Sequence, residues 1–332
     1  MKKMIVLALV LVLSACTQTN HQVPLFIYDM SDPYMHDFEQ KILSIAMKDI
    51  DVTSFDASNS QIIQNEQIEE WIKEDQLLII NPVDRLSVFS IIEKAKSRNT
   101  KLIFFNREPL NSDLIDYEGA YYVGADAKQS AELQASLIID LLNQSTNYDL
   151  NKDSKIQTII LKGEQGHQDA EARTEFVVST LEASRFDIEV IEISVNNWNR
   201  EQAYQSMLEM IELYGNSIEL VISNNDAMAL GAIDALVQLK IIDDLNNDSR
   251  IDKDVEPWLP VVGIDGLEEA VESIESGYLY GTIVNDSSSM ALKIMELAHH
   301  LIDQNSYPNI NDELVEGKYI WIDYQKLTLT VE

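Results

Sequence analysis

Gly163-Glu164-Gln165-Gly166-His167-Gln168-Asp169-Ala170-Glu171-Ala172-Arg173 is the stretch on which the fold turns. A mostly apolar run, Ile156 to Leu161, leads into it. A segment with Phe176, Val177 and Leu181 at helical spacing leaves it. That order reads as strand, turn and helix. In a doubly wound α/β sheet, ligands bind where strands end and helices begin. The turn here carries an imidazole, a carboxylate and a guanidinium. Asp169 and Arg173 are four apart and share one helix face, offering acceptors and a rigid fork of donors to the hydroxyls of a small polar ligand. The same residues also describe an ordinary surface ion pair beside a histidine.

Outward from this turn the pattern repeats. Strands are expected at Leu25–Tyr28, Val52–Phe55, Leu77–Ile80, Leu102–Phe105 and Tyr121–Val123, with helices at Tyr34–Met47, Ile62–Ile72 and Leu86–Ala95 between them. The alternation restarts with a helix at Ala127–Leu142. Strands follow at Ile156–Leu161, Val190–Val195, Leu220–Ile222, Val261–Ile264 and Gly281–Val284, and a last one at Tyr319–Ile322. Such alternation builds βαβ units and parallel sheets. There are too many strands for one open sheet of ordinary width. The expected fold is therefore α/β, with two Rossmann-like lobes and a boundary near Gly124–Asp126.

The 332-residue length favours two domains, and 45% apolar content supplies real cores. A formal net charge of −32 argues against nucleic acid and against adsorption to anionic lipid. At the N-terminus, Lys2 and Lys3 precede an apolar run from Met4 to Leu13, then Ser14, Ala15 and Cys16. This reads as a signal peptide over residues 1–15, too short to remain as a spanning helix. Leu13-Ser14-Ala15-Cys16 resembles a bacterial lipobox. That resemblance implies lipidation of Cys16, with residues 16–23 as a tether and export to the extracytoplasmic face of the cell membrane or the periplasm. Cys16 is the only cysteine, so no intrachain disulfide competes for it.

Polar residues gather where the strands end: Asp32 and Tyr34, Asn106 with Arg107 and Glu108, Trp198, Asn224 to Asp226, Asp265, and Asn285 with Asp286. Each Asp or Asn could be no more than a helix cap. Tyr34 and Trp198 fall in turns of different lobes. Two aromatic faces suit the C–H faces of a pyranose, and planar Asn, Asp and Arg groups suit its hydroxyl rim.

These residues sit in longer strings: Ile27-Tyr28 with Asp32 and Tyr34, Phe104-Phe105-Asn106-Arg107-Glu108-Pro109, Ala120-Tyr121-Tyr122-Val123-Gly124, Asn224-Asn225-Asp226-Ala227-Met228-Ala229 and Gly263-Ile264-Asp265. With the opening stretch, they make the chain resemble the bacterial galactose/glucose-binding proteins, sugar-binding subunits of ABC importers with the type I periplasmic binding protein fold, over nearly all of its length. The resemblance implies an N-terminal lobe of residues 24–124 plus 288–320 and a C-terminal lobe of 125–287 plus 321–332, hinged by the crossovers. It implies sugar ligands at Asp32, Asn106, His167, Asp169, Arg173, Asn225, Asp265 and Asn285, stacked between Tyr34 and Trp198. Tyr34 stands where the family usually has phenylalanine, and Tyr28 borders the site. Gln165 and Gln168 replace family prolines, which loosens the turn without removing a ligand.

Asp149-Leu150-Asn151-Lys152-Asp153-Ser154-Lys155-Ile156-Gln157 matches the first nine positions of an EF-hand-type loop. Asp149, Asn151 and Asp153 would give side-chain oxygens, Lys155 its carbonyl and Gln157 its amide. The closing glutamate is missing locally; the resemblance places it at Glu219. Ser154 stands where glycine is expected, so a left-handed conformation there would cost about 1 kcal/mol. A structural Ca²⁺ is the expected cofactor. Asp244-Leu245-Asn246-Asn247-Asp248-Ser249-Arg250-Ile251-Asp252 repeats the pattern, within a stretch longer than the family's. It reads as a solvated acidic insertion or as a second Ca²⁺ loop closed by Asp254 or Glu256.

The expected function is a monomeric, lipid-anchored receptor that closes on D-glucose or D-galactose and presents it to the membrane subunits of an ABC transporter. The alternative partner is a chemoreceptor. A glycosidase could use Asp32 with Asp169 or Asp265, but the site is rich in Asn and Arg, and no G-x-S-x-G or H-E-x-x-H motif occurs. A transcription regulator would share the two lobes but not the signal peptide or the acidic surface.

Overall fold

A computed structural model of the chain describes residues 20–45, 49–144, 148–307 and 309–329. The expected signal peptide and Cys16 lie outside the described residues. The chain first builds β1 (His21–Ile27), α1 (Pro33–Ser44), β2 (Ile50–Asp56), α2 (Gln61–Trp71) and β3 (Leu77–Ile80). A 3-10 turn (Arg85–Ser87) leads into α3 (Val88–Lys96), then β4 (Lys101–Phe105), α4 (Asn111–Ile115) and β5 (Ala120–Gly124). It crosses to a second lobe with α5 (Ala127–Gln144), β6 (Ile156–Lys162), α6 (Gln168–Glu182), β7 (Ile188–Val195) and α7 (Arg200–Tyr214). There follow β8 (Leu220–Ser223), α8 (Asp226–Gln238), β9 (Val261–Asp265), α9 (Glu268–Glu275) and β10 (Gly281–Val284). It returns through α10 (Ser287–Ile302), α11 (Ile310–Glu313) and β11 (Tyr319–Trp321), and crosses a third time to β12 (Gln325–Thr328).

The strands form two six-stranded sheets, ordered β11-β5-β4-β3-β1-β2 and β12-β10-β9-β8-β6-β7. Each sheet is covered on both faces, so its strands read as apolar runs whose alternate residues enter different cores. Leu25, Ile27, Ile103 and Phe105 pack toward α1 and α10, where Phe38 stacks on Phe105 with centroids 4.9 Å apart. Phe26, Leu102 and Phe104 pack on the opposite face against α2 and α3. In the second sheet Ile159 and Leu161 face α7 and α8, while Ile156 and Ile160 face α5 and α6. In both sheets the order reverses beside the first strand, between β1 and β3 and between β6 and β8. That is where an open α/β sheet leaves a crevice beyond its carboxyl ends.

Three details differ from the expectation. β12 is an extra strand, antiparallel to β10, so the second sheet is not wholly parallel. Gln325-Lys326-Leu327-Thr328 has one apolar residue, too few to signal an edge strand. The tether expected to reach Val23 ends earlier: His21, Gln22 and Val23 pair with Ile50, Asp51 and Val52, and Val23 is buried. Trp321, assigned to the C-terminal lobe, pairs with Gly124 in the first sheet, and its ring stacks on Tyr319.

Removing residues 21–23 should therefore damage the fold. A chain beginning at Pro24 loses the first three rungs of β1 and a buried valine worth about 1.5–3 kcal/mol. Its thermal midpoint should fall by several degrees below that of a chain beginning at Asn20. Equal midpoints would contradict the assignment of these residues to the sheet.

Candidate functional site

The carboxyl ends of the strands converge on a cavity between the lobes. Tyr28, Asp32, Tyr34, Asn106 and Arg107 face it from one side; His167, Asp169, Arg173, Trp198, Asn225 and Asp265 face it from the other, with Asn285 at a crossover. All ten residues expected at the ligand site thus line one space. Helix capping and cavity lining prove compatible. Asp32 accepts from the backbone of Tyr34 at 2.9 Å and Met35 at 3.4 Å at the start of α1. Asn225 accepts from Met228 N at 2.9 Å at the start of α8. His167 Nδ1 accepts from Asp169 N at 3.1 Å at the start of α6. The cavity therefore opens onto three helix N-termini, whose free N–H groups and dipoles favour oxygen-rich ligands.

Arg173 is the centre of the C-terminal side. It is 3% exposed. Nη1 donates to the carbonyl of Asn224 at 2.7 Å, and Nη2 donates to the Tyr324 hydroxyl at 3.1 Å. Asp169 and Asp265 lie 3.7 and 3.8 Å from its nitrogens. Burial works against the charge, but Tyr324, Asp169 and Asp265 hold the guanidinium protonated. Burial pushes the Tyr324 hydroxyl up to about 12, so it stays neutral. Burial likewise raises Asp169 and Asp265, and Arg173 opposes both shifts. Arg173 Nε and Asn285 Oδ1 are buried polar atoms with no protein partner. A donor and an acceptor are thus available to a polar guest, whereas leaving each unmatched costs about 1–3 kcal/mol.

The opposite wall carries a third carboxylate, under tension between burial and hydrogen bonding. The Tyr28 hydroxyl donates to Asp32 Oδ2 at 2.5 Å. Burial raises the Asp32 carboxyl, and the bonds from Tyr28, Tyr34 and Met35 pull it back. The Arg107 guanidinium lies over the Tyr28 ring, 3.7 Å from its centroid. The Tyr34 hydroxyl donates to the carbonyl of Asn285 at 3.3 Å, giving the extra oxygen a partner at the crossover.

Three lining residues hold backbone conformations that L-residues avoid: Asn106 (φ 60°), Trp198 (φ 63°) and Asp265 (φ 132°). Each such residue costs about 1–3 kcal/mol unless its surroundings fix it. Asp226 fixes the Asp265 turn: its carboxylate accepts from Gly266 N at 2.7 Å, Leu267 N at 3.0 Å and the Thr282 hydroxyl at 2.6 Å. A Cβ on Gly263 would lie 2.1 Å from that carboxylate. Gly163 serves Trp198 in the same way, since a Cβ there would fall 2.4 Å from the indole. Asp226, Asn224 and Tyr324 were not marked as site residues from the sequence. Asp226 reads there as one more strand-end acid that could be no more than a helix cap, and Tyr324 lies in a loop with no pattern.

Away from the cleft, Asp149, Asn151 and Asp153 turn inward to accept backbone N–H groups of their own loop. Ser154 has φ 73°, the left-handed geometry anticipated for it. Glu219, 1% exposed, accepts from the backbone of Leu150, Asn151 and Gln157. The Asp244 loop repeats this arrangement. Asp248 N donates to Asp244 and Asn246, Ser249 (φ 67°) donates to Asp244, and the buried Glu256 accepts from Leu245, Asn246 and Asp252. Among the described residues no three His, Cys or acidic side chains form a metal centre by themselves. The set expected around Asp149 would draw equally on amide and carbonyl oxygens, a purely oxygen set of the kind that suits a hard cation.

Comparison with known proteins places this geometry. The family described as "Periplasmic binding protein domain" matches residues 23–306. The D-galactose/methyl-galactoside binding periplasmic protein MglB of Haemophilus influenzae is 34% identical over 323 residues, 95% of this chain and 93% of that protein. An ABC transporter periplasmic solute binding protein from Actinobacillus succinogenes with bound D-allose has a TM-score of 0.75 at 21% identity, covering 93% of this chain and 98% of its own. A solute binding protein from Bacillus halodurans with bound myo-inositol has a TM-score of 0.72 at 25% identity, covering 94% and 95%. The chain belongs to the periplasmic binding proteins, of type I architecture. It is an extracytoplasmic binding protein rather than an enzyme.

His167 supplies a test that needs no ligand. Burial, then Arg107, Arg173 and Arg85, hold its imidazole well below 6.5. The unfolded chain therefore takes up the proton first, so the stability contributed by neutral His167 is complete above about pH 6.5 and lost as pH falls below it. With Nδ1 accepting from Asp169 N, the proton belongs on Nε2. Nitrogen NMR should show an Nε2–H tautomer through pH 6. A midpoint at or above 6.5 would contradict the environment described.

Proposed function

We propose that the cleft binds the pyranose form of D-galactose or D-glucose and that the chain delivers it to the membrane subunits of an ABC importer. The observation that carries this reading is the pairing of Arg173, held between Asp169 and Asp265, with Tyr34 and Trp198 around one cavity. Buried carboxylates accept from sugar hydroxyls, while Arg173, Asn106, Asn225 and the Nε2–H of His167 donate to their oxygens. The two rings cover the C–H faces. A neutral ligand is favoured because both guanidiniums, Arg107 and Arg173, already face carboxylates of the protein. Kinship with a galactose-binding relative supports the hexose choice. Asp32 can accept from either O4 epimer, so both sugars should bind. Buried polar groups would reject a sugar lacking a hydroxyl they meet.

Lipidation at Cys16 would hold the receptor at the membrane while leaving the lobes free to close. The loop from Asp149 to Gln157 with Glu219 would hold Ca²⁺ as a staple tying β6 and β8 to the crossing from α5. The ligands would be Asp149, Asn151, Asp153, the Lys155 carbonyl, Gln157 and Glu219.

Calorimetric titration with galactose, glucose, ribose and xylose tests the ligand. One-to-one binding of a hexose is expected, weakened about 10- to 100-fold by Asp169→Ala or Trp198→Ala. Silence toward all four sugars in folded protein would sink the reading. Metal analysis should find Ca²⁺ that is lost in Asp153→Ala, with a thermal midpoint lowered by chelator. An unchanged midpoint and no bound Ca²⁺ would remove the staple.

A further inference from the structure

Two polar contacts join the lobes at the mouth of the cleft, and of their four residues only Arg107 also lines the cavity. Glu108 of the first lobe accepts from Gln168 Nε2 of the second at 2.7 Å. Arg107 Nη2 lies 3.2 Å from Glu164 Oε2. Glu108, Gln168 and Glu164 do not line the ligand space, although Arg107 does, as do His167 and Asp169 on either side of Gln168. The first-lobe partners are held by contacts within their own lobe. Arg107 is buried over Tyr28 and donates to the Val83 carbonyl, and Arg85 donates to the Glu108 carbonyl. On the second lobe, Gln168 is the first residue of α6, and Glu164 lies in the turn before it.

We propose that the Glu108–Gln168 and Arg107–Glu164 pairs form a latch that sets how long the closed cleft retains its ligand, whichever hexose it holds. This rests on the hexose reading above. A contact made only between closed lobes favours the closed state by the same amount for every ligand. It therefore scales all affinities together, where a residue touching the sugar changes their ratio. Its loss shortens residence rather than slowing entry. The two pairs differ in salt response. The Glu164 carboxylate is partly exposed, so its ion pair with Arg107 is open to screening by salt. The Gln168–Glu108 bond has one neutral partner and lies in a partly buried place, so salt leaves it largely intact.

The test uses Glu108→Ala, Gln168→Ala, the double variant and Glu164→Gln in the full chain. Stopped-flow dissociation of galactose and of glucose should speed up about three- to tenfold in each single variant at position 108 or 168. The double variant should be no faster than the faster single, and the galactose-to-glucose affinity ratio should stay at the wild-type value. Glu164→Gln should act at low salt and lose its effect at high salt. Unchanged thermal midpoints without sugar would exclude general damage. Wild-type dissociation rates in the 108 and 168 variants, or a changed sugar ratio, would overturn the latch. If the wild-type chain binds no hexose, the ligand reading fails by itself. Small-angle scattering of sugar-free protein still decides the latch: the 108/168 double variant should be more open than wild type, and identical profiles would overturn it.

Discussion

One buried guanidinium holds the site together. Arg173 reaches from the first turns of α6 to the carbonyl of Asn224 after β8, the carboxylate of Asp265 ending β9 and the hydroxyl of Tyr324 in the third crossover. An arginine taken out of water must be matched on nearly every side, and removing one partner of such a network costs several kcal/mol. The matching therefore dictates where two strand ends and a crossover may sit. What remains unmatched, Nε, is the donor left for a guest. Ligand recognition and the internal order of the C-terminal lobe are two uses of the same charge.

The rest of the site follows from how the lobes are threaded. Because the chain crosses three times, neither sheet is contiguous in sequence, and α10 and β11 return to finish the first lobe. Asn285 and Tyr324 lie on crossovers, so groups facing or bracing the cavity also sit where the lobes pivot. The Tyr34 hydroxyl on the Asn285 carbonyl links the first helix to one of these pivots. Strain at Asn106, Trp198 and Asp265 is tolerated because Asp226, Gly263 and Gly163 shape the surrounding turns. Hinge motion about such crossovers is the family's way of converting binding into a shape that a partner can recognise.

Most of this was legible in the sequence because it lies in local patterns. Apolar runs marked the sheet strands, and the turn from Gly163 to Arg173 carried its imidazole, carboxylate and guanidinium in one short string. The resemblance gathered Asp32, Asn106, Asn225, Asp265 and Asn285 into one set that their separate positions could not. What escaped is non-local. β12 has too few apolar residues to announce itself. Tyr324 matters only because Arg173 reaches it across 151 positions. Asp226 sits where any helix might carry an acid, and its role appears only when Gly266, Leu267 and Thr282 surround it. The likeness between the Asp149 and Asp244 loops is visible as spelling, with Asp254 or Glu256 as the closing acid, and the fold puts Glu256 in the position that Glu219 holds. The links across the cleft mouth, Glu108 to Gln168 and Arg107 to Glu164, likewise join residues with no sequence signal of pairing.

The central claim is that a neutral hexose lies flat between Tyr34 and Trp198 with its hydroxyls on Arg173, Asp169, Asp265 and Asp32. A crystal structure grown with D-galactose tests it most directly. The account predicts pyranose density in this cavity, the ring faces against the two aromatic planes and Arg173 Nε or Asn285 Oδ1 bonded to the sugar. Density for galactose elsewhere, or a ring standing edge-on with Arg173 untouched, would contradict it.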